Sequence, residues 1–82
     1  MATNYEKMIA DLVTPLVVHP DDVAVKQLSD DGEMITMHIM VHEDDLGRVI
    51  GKNGRIANAI RTIAYASASR EHKKITINIE SF

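Results

Sequence analysis

Val49-Ile50-Gly51-Lys52-Asn53-Gly54-Arg55 is a short stretch in which two glycines bracket a lysine and an asparagine, between two segments with helical spacing of apolar residues. Before Gly51, an i, i+3, i+4 repeat is formed by Leu46, Val49 and Ile50. After it, the stripe of a long amphipathic helix is formed by Ile56, Ile60, Ile63, Ala64 and Ser67. Gly51 stands where a helix can end on a residue that tolerates positive φ. The stretch therefore predicts two helices that meet at a tight loop of residues 51–54, called here the glycine loop.

The residues of the glycine loop predict an anion site. The first N–H groups of a helix have no partner within that helix, and they attract phosphate. Lys52 and Arg55 add full positive charges at the same place, and Arg55 opposes the helix dipole, which suggests that an anion is its missing partner. Lys52 and Asn53 could be ordinary turn residues, but a turn explains neither Gly51 nor the flanking arginines. We therefore expect this loop to bind a sugar–phosphate backbone.

Charge is distributed unevenly along the chain, whose formal net charge is −3. Residues 1–46 carry two lysines against ten acidic residues, whereas residues 47–82 carry seven basic residues against two acidic ones. Nucleic-acid binding requires a basic surface rather than a basic total. Because the basic half contains the glycine loop, we favour a nucleic-acid ligand over an ordinary mixed surface.

Length and composition predict one small domain over residues 1–82. Hydrophobic residues make up 45% of the chain, and its only aromatic residues are Tyr5, Tyr65 and Phe82, so the core must be mainly aliphatic. The absence of cysteine excludes disulfides and thiolate metal sites, and it fits a reducing compartment. The first residues lack the pattern of a signal sequence, and no apolar run is long enough to cross a membrane. We therefore expect a cytoplasmic protein without membrane contact.

Hydrophobic spacing predicts three helices and three strands. The first helix starts at Asn4, a favourable N-cap, and ends between Thr14 and Val18 because Pro15 cannot continue it. A short helix precedes the glycine loop, and the long helix that follows it covers residues 55–69. The strands are predicted at residues 23–29, 34–42 and 74–80, with a turn at Asp30-Asp31-Gly32 between the first two.

The element order α-β-β-α-α-β predicts an α+β fold in two layers. Three helices should cover one face of a three-stranded mixed sheet. The hairpin must be antiparallel, and the last strand, which arrives through a helical crossover, can run parallel to one of the first two. In the second strand, the side chains expected to point in one direction are Ile35, Met37, Ile39 and Val41.

Candidate metal and catalytic residues fail on spacing. On a strand, His38 and His42 would lie about 13 Å apart, too far to share an ion. The acidic residues 43–45 could hold a hard cation or serve an enzyme, but acids at the start of a helix are the commoner explanation. The chain has no P-loop and no recognisable nucleophile motif. We expect no catalytic site, no metal and no cofactor, and hence a protein that is not an enzyme.

Gly51-Lys52-Asn53-Gly54 resembles the GXXG loop of KH domains, which binds about four nucleotides of single-stranded nucleic acid. It follows Arg48-Val49-Ile50 and opens a long helix, which makes the resemblance more specific. The element order is similar to that of the type II KH domain over essentially the whole chain, and the closest resemblance is to the small bacterial single-KH proteins of the KhpA type. The chain departs from the KH signature at Ala57, where the signature has an aliphatic residue, and Ile56 comes one place earlier.

This resemblance implies a single-stranded RNA-binding protein, acting as a post-transcriptional regulator or RNA chaperone with effects on cell growth, division and shape. The expected partners are RNA and either a second copy of the chain or another KH-containing RNA-binding protein. The expected RNA-binding residues are Arg48, Val49, Ile50, Gly51, Lys52, Asn53, Gly54, Arg55, Ile56, Lys73 and Lys74. The cations Arg70, Lys73 and Lys74 are explained equally well as one rim of a groove and as charges that favour a helix C-terminus. The alternative function is a protein-interaction adaptor of the same fold whose groove is vestigial.

Overall fold

The computed structural model describes residues 4–82, which form three α-helices and three strands. In chain order they are α1 (Tyr5–Val13), β1 (Ala24–Asp30), β2 (Met34–Val41), α2 (Leu46–Ile50), α3 (Arg55–Arg70) and β3 (Lys74–Ser81). Short 3₁₀ turns lie at Thr14–Leu16, Pro20–Asp22 and Glu43–Asp45, and a turn with left-handed residues at Lys52–Gly54 separates α2 from α3. This is the predicted order, and the three-stranded mixed sheet confirms the α+β fold class. Residues 1–3 of the predicted domain lie outside the described residues.

The start of α1 confirms the predicted N-cap. The Asn4 side chain accepts a hydrogen bond from the Lys7 N–H at 3.0 Å. The α-helix ends at Val13, one residue before the predicted range, and Pro15 lies in the 3₁₀ turn that follows. A proline further inside the helix would remove a hydrogen bond and clash with the preceding turn. The residues that α1 contributes to the core are Tyr5, Ile9 and Val13.

The sheet has the strand order β1-β2-β3, so β2 lies in the centre. β1 and β2 form the predicted antiparallel hairpin, and β3 lies parallel to β2, with Ile75 beside Ile35 and Ile77 beside Met37. The strand boundaries differ from the predicted ones by one residue at one or both ends. The predicted alternation in β2 is confirmed, since its fully buried residues are Ile35, Met37, Ile39 and Val41.

The core-facing stripe of α3 differs from the predicted one. Its buried residues are Ala57, Ile60, Ala64 and Ala68. The prediction that Ile63 faces the core was wrong, because its side chain is 45% exposed. The periodicity argument gave weight to large aliphatic side chains, whereas the surface that packs is rich in alanine, which lets the helix approach the sheet closely. Neither α3 nor any other helix within residues 4–82 has the length and apolar character needed to span a membrane.

A buried carboxylate, Asp45, fixes the chain before α2. It is 0% exposed and accepts hydrogen bonds from the N–H groups of Val18 at 3.1 Å and His19 at 2.9 Å. Burial alone would raise the pKa of Asp45, but the two backbone donors, with His19 and Arg48 nearby, outweigh burial and hold the pKa below its ordinary value. The segment after α1 is thereby bound to the start of α2, the helix that carries the glycine loop.

Candidate nucleic-acid interface

The glycine loop joins α2 to α3 through a run of left-handed and extended backbone angles. Gly51 (φ 76°, ψ 173°) ends α2, and its N–H donates to the Gly47 carbonyl at 2.8 Å. Asn53 (φ 58°, ψ 24°) and Gly54 (φ 75°, ψ 15°) are left-handed. Three of the four loop residues therefore have positive φ, which turns the chain sharply enough for α3 to begin at Arg55.

The two loop glycines are needed for different reasons. A Cβ atom on Gly51 would lie 2.7 Å from Cγ1 of Ile56 and 3.0 Å from its backbone nitrogen, so contact as well as φ excludes a side chain there. A Cβ atom on Gly54 would meet only the side-chain nitrogen of Asn58, at 3.9 Å. The surface over Gly54 is therefore open, and a ligand can approach the protein backbone at this point.

Hydrogen-bond donors and positive charge meet at the start of α3. Gly54 is the N-cap residue and provides no side-chain cap, so the first N–H groups of the helix are not satisfied in the usual way. Lys52, Asn53 and Arg55 are exposed, and within residues 4–82 their side chains form no hydrogen bond or ion pair. Unpaired cations next to a helix N-terminus are the chemistry of a phosphate site.

The predicted site residues around the loop have unequal access to solvent. Arg48 turns back towards the start of α2, where Nη1 donates to the Asp44 carbonyl at 2.8 Å and lies 3.4 Å from the Asp45 carboxylate. Val49 is fully buried and supports the loop from the core. Ile50 and Ile56 are half-buried, whereas Ala57 is 3% exposed. Of the two residues at the departure from the KH signature, Ile56 is therefore the one with exposed apolar surface beside the loop.

The basic residues after α3 differ in whether they are paired. Lys73 Nζ lies 3.1 Å from Asp30 Oδ2, and the two side chains are only 27% and 30% exposed. The Gly32 N–H and the Lys73 ammonium hold the pKa of Asp30 below its ordinary value. Lys74 is exposed, and within the described part of the chain it has no ion-pair partner. The structure therefore leaves Lys74 free to meet a ligand, whereas Lys73 already bonds to the end of β1.

Arg61 has a contact that its sequence position alone does not reveal. Its Nε and Nη2 atoms lie 3.4 Å and 3.3 Å from the carbonyl oxygen of Ile77 in β3. The side chain thus spans from α3 to the edge of the sheet, and it is half-buried. Arg61 lies seven residues after Gly54, an interval that places it on the same side of α3 as the glycine loop. Its partner, the Ile77 carbonyl, is revealed only by the packing of α3 beside β3.

Among the described residues, one group could offer three ligands to a metal ion. The donor atoms of His19, His42 and Asp44 lie within 4.8 Å of one another. The two imidazole rings stack with centroids 4.0 Å apart and an angle of 24°, so their lone pairs do not converge on one point. His42 Nδ1 also accepts the Asp44 N–H at 3.0 Å. This geometry is that of a stacked pair that caps a turn rather than of a tetrahedral zinc site. No local pattern points to His19, because its neighbours His42 and Asp44 lie far from it along the chain.

Family comparison gives a match over most of the chain. The model described as the KhpA/KhpB KH domain matches residues 6–79. RNA-binding protein KhpA of Listeria monocytogenes is 47% identical over 74 residues, which cover 90% of this chain and 96% of that protein. KhpA of Bacillus subtilis is 45% identical over 76 residues, which cover 93% of each chain. KhpA of Streptococcus pneumoniae is 41% identical over 75 residues, which cover 92% of each chain.

Solved structures share the fold at lower sequence identity. A crystal structure of Era from Aquifex aeolicus bound to GDP and AlF4⁻ matches with a TM-score of 0.72 and 18% identity, over 95% of this chain and 30% of that chain. Era in complex with MgGDPNP and a segment of 16S ribosomal RNA gives a TM-score of 0.68 and 18% identity, over 94% of this chain and 29% of that chain. At this identity the likeness concerns the fold, and it covers less than a third of each Era chain.

Proposed function

Because this chain belongs to the KhpA/KhpB KH-domain family, we propose that it binds single-stranded RNA through its glycine loop. A phosphate of the RNA lies over Gly54, beside the charges of Lys52 and Arg55. The relatives carry the name RNA-binding protein, and the chain belongs with such binding proteins and not with enzymes. It acts as one KH domain over residues 1–82, in the cytoplasm and without a cofactor.

The observation that carries this proposal is the open surface over Gly54 between two unpaired cations. A phosphate can reach the backbone there, since an added Cβ atom has no neighbour closer than 3.9 Å. The adjacent half-buried surfaces of Ile50 and Ile56 offer apolar contact to a base or sugar. In a chain with so few aromatic residues, such aliphatic contacts and hydrogen bonds take the larger share of base binding at the loop.

The proposed working form contains two KH domains. The second is another copy of this chain or a different KH-containing RNA-binding protein, and the paired name of the family supports the second possibility. The cellular role that follows from the family resemblance is regulation after transcription or RNA chaperone activity, with effects on cell growth, division and shape. Arg48 and Lys73, which are already paired, contribute less to RNA binding than Lys52 and Arg55.

Reversal of charge at the loop tests the proposal. Lys52→Asp combined with Asn53→Asp should abolish binding of a labelled, unstructured RNA in fluorescence anisotropy, because two carboxylates would face the phosphates. Both positions are exposed, so each change should alter stability by less than about 0.5 kcal/mol, and aspartate tolerates the left-handed angles of Asn53. Unchanged affinity in this folded variant would refute the proposal.

A matched control makes the same chemical changes at the start of α1. Asn4→Asp combined with Lys7→Asp keeps an N-cap acceptor and alters the net charge equally. It should bind RNA almost as the natural chain does, whereas an equal loss in both variants would indicate total charge rather than the loop. A blunt RNA hairpin of equal length should bind more weakly than the unstructured RNA, because a duplex hides the base edges. The adaptor alternative predicts no binding of either RNA.

A further inference from the structure

One ridge of α3 leads from the glycine loop to the other end of the helix. It begins at Gly54, and intervals of three and four residues add Asn58, Arg61, Tyr65 and Ser69. Residues at these intervals lie on one face of a helix. At 1.5 Å per residue, Tyr65 lies about 16 Å along the helix axis from Gly54. The ridge is therefore long enough to follow a bound strand beyond the loop.

The free edge of β3 lies beside this ridge. The N–H group of Lys74 donates to the Glu33 carbonyl and that of Phe82 to the Val41 carbonyl. The even-numbered residues of β3 therefore direct their backbone hydrogen bonds towards β2. Odd-numbered residues direct their N–H and C=O groups outwards, and Arg61 meets one of these carbonyls, at Ile77. Ile75, two residues earlier, lines a pocket together with Tyr65. α3 and β3 thus run in opposite directions along a shared path from the loop to this pocket.

The pocket at the end of the path has the chemistry of a nucleotide site. Its volume is about 390 Å³, and it is lined by Met34, Tyr65, Ser69, Lys73, Lys74 and Ile75. Tyr65 is 47% exposed, and it is one of only three aromatic residues in the chain. None of these lining residues is acidic, and Lys74 has no ion-pair partner within residues 4–82. An aromatic ring, an apolar floor and an unpaired ammonium group match a base and its phosphate.

We infer that this pocket binds a nucleobase of the RNA strand held by the glycine loop, with the base stacked on Tyr65 and a phosphate beside Lys74. The inference rests on the proposed RNA-binding function and extends it, because the loop of a KH domain binds only about four nucleotides. Five of its six lining residues belong to the basic half of the chain and the sixth, Met34, is uncharged, which favours a nucleic-acid strand over a protein segment. The bound nucleotide lies beyond those four.

Two RNA lengths separate the pocket from the loop. The full chain is titrated with four-nucleotide and seven-nucleotide unstructured RNAs, and Tyr65→Ala is compared with Tyr65→Phe and Ile63→Ala. Tyr65→Ala should weaken binding of the longer RNA by about 5-fold to 150-fold, the usual range for loss of one stacked base, and leave the affinity for the shorter RNA within about twofold. Tyr65→Phe keeps the ring and should keep the affinity.

Ile63→Ala is the matched control, since Ile63 is an exposed apolar residue of the same helix at 45% exposure, off the ridge. It should leave both affinities unchanged. If the natural chain binds both RNAs and Tyr65→Ala has no effect on the longer one, the pocket inference is wrong and the proposed function stands. If the natural chain binds neither RNA, both are wrong. Loss of self-association in Tyr65→Ala, measured by sedimentation with RNA affinity unchanged, would identify a protein interface and overturn the inference.

Discussion

Two glycines four residues apart illustrate how much depends on single backbone positions. Gly47 lies inside α2, where an added Cβ atom meets nothing within 4 Å, whereas Gly51 has φ 76° and ψ 173° and sits against Ile56. The angles of Gly51 belong to a region that is essentially restricted to glycine, and other residues there cost about 1–3 kcal/mol. Position 47 can therefore accept a side chain, whereas position 51 requires glycine.

Alanine should therefore have opposite effects at these two sites. Gly47→Ala should raise the free energy of unfolding by about 0.4–1 kcal/mol, because it restricts the unfolded chain at a helical position. Gly51→Ala should lower the free energy of unfolding by about 1–3 kcal/mol, because it adds strain and a contact with Ile56. Urea unfolding followed by circular dichroism measures both. Equal effects of the two substitutions would show that Gly51 does not have a φ of 76° in the loop.

Among the helices and strands, the features that the sequence predicts correctly are those that depend on residues close together in the chain. The alternation of buried residues in β2 is predictable because it depends only on the period of two within the strand, whichever strand lies beside it. The Asn4 cap is predictable because its hydrogen bond joins residues only three positions apart. The predicted stripe of α3 is confirmed at Ile60 and Ala64 and wrong at Ile63. It omits Ala57 and Ala68 because alanines carry little hydrophobic weight even where they allow close packing. The contacts of Arg61 with Ile77 and of Lys73 with Asp30 join residues 16 and 43 positions apart, which no local pattern encodes.

The number of unpaired cations at the candidate site determines how strongly salt should weaken RNA binding. Arg48 and Lys73 are paired with carboxylates, which leaves Lys52, Arg55 and Lys74 as the unpaired cations of the candidate site within the described residues. With about −0.7 for each phosphate contact on a single strand, two or three contacts give a log–log slope of roughly −1.4 to −2.1. Affinity for the seven-nucleotide RNA, measured from low to moderate salt, provides this slope.

Single substitutions distinguish the effect of a loop cation on the salt slope from the effect of the total charge. Lys52→Ala should reduce the magnitude of the slope by about 0.7, since one phosphate contact is lost. Lys7→Ala, which removes an exposed lysine paired with Asp11 on α1, should leave the slope unchanged. A slope near zero would contradict the electrostatic account of the loop. A slope much steeper than three contacts allow would mean that more than one copy binds each RNA.

At the scale of the whole molecule, folding changes the charge asymmetry that the sequence shows. Two acidic residues of the first half, Asp30 and Asp45, lie against cations of the second half. These pairs join the halves and reduce the positive charge available at the site. The remaining unpaired cations are few, and the interface with a short RNA is correspondingly small. Such an interface must offset both lost translational freedom and the ordering of a flexible strand.

We therefore predict that a single copy is a weak RNA binder and that two linked copies bind much more tightly. Two copies joined by a flexible linker of about 20 Gly and Ser residues, with an average span of roughly 25 Å, should bind an RNA with two target segments about 10² to 10⁴ times more tightly than one copy does. On an RNA with one segment, the linked pair should gain no more than the statistical factor of about two. A pair carrying Lys52→Asp and Asn53→Asp in one copy should return to the affinity of a single copy. If dilute single copies bind a seven-nucleotide RNA with nanomolar Kd and the linked pair gains nothing on the two-segment RNA, one domain suffices and the prediction is wrong.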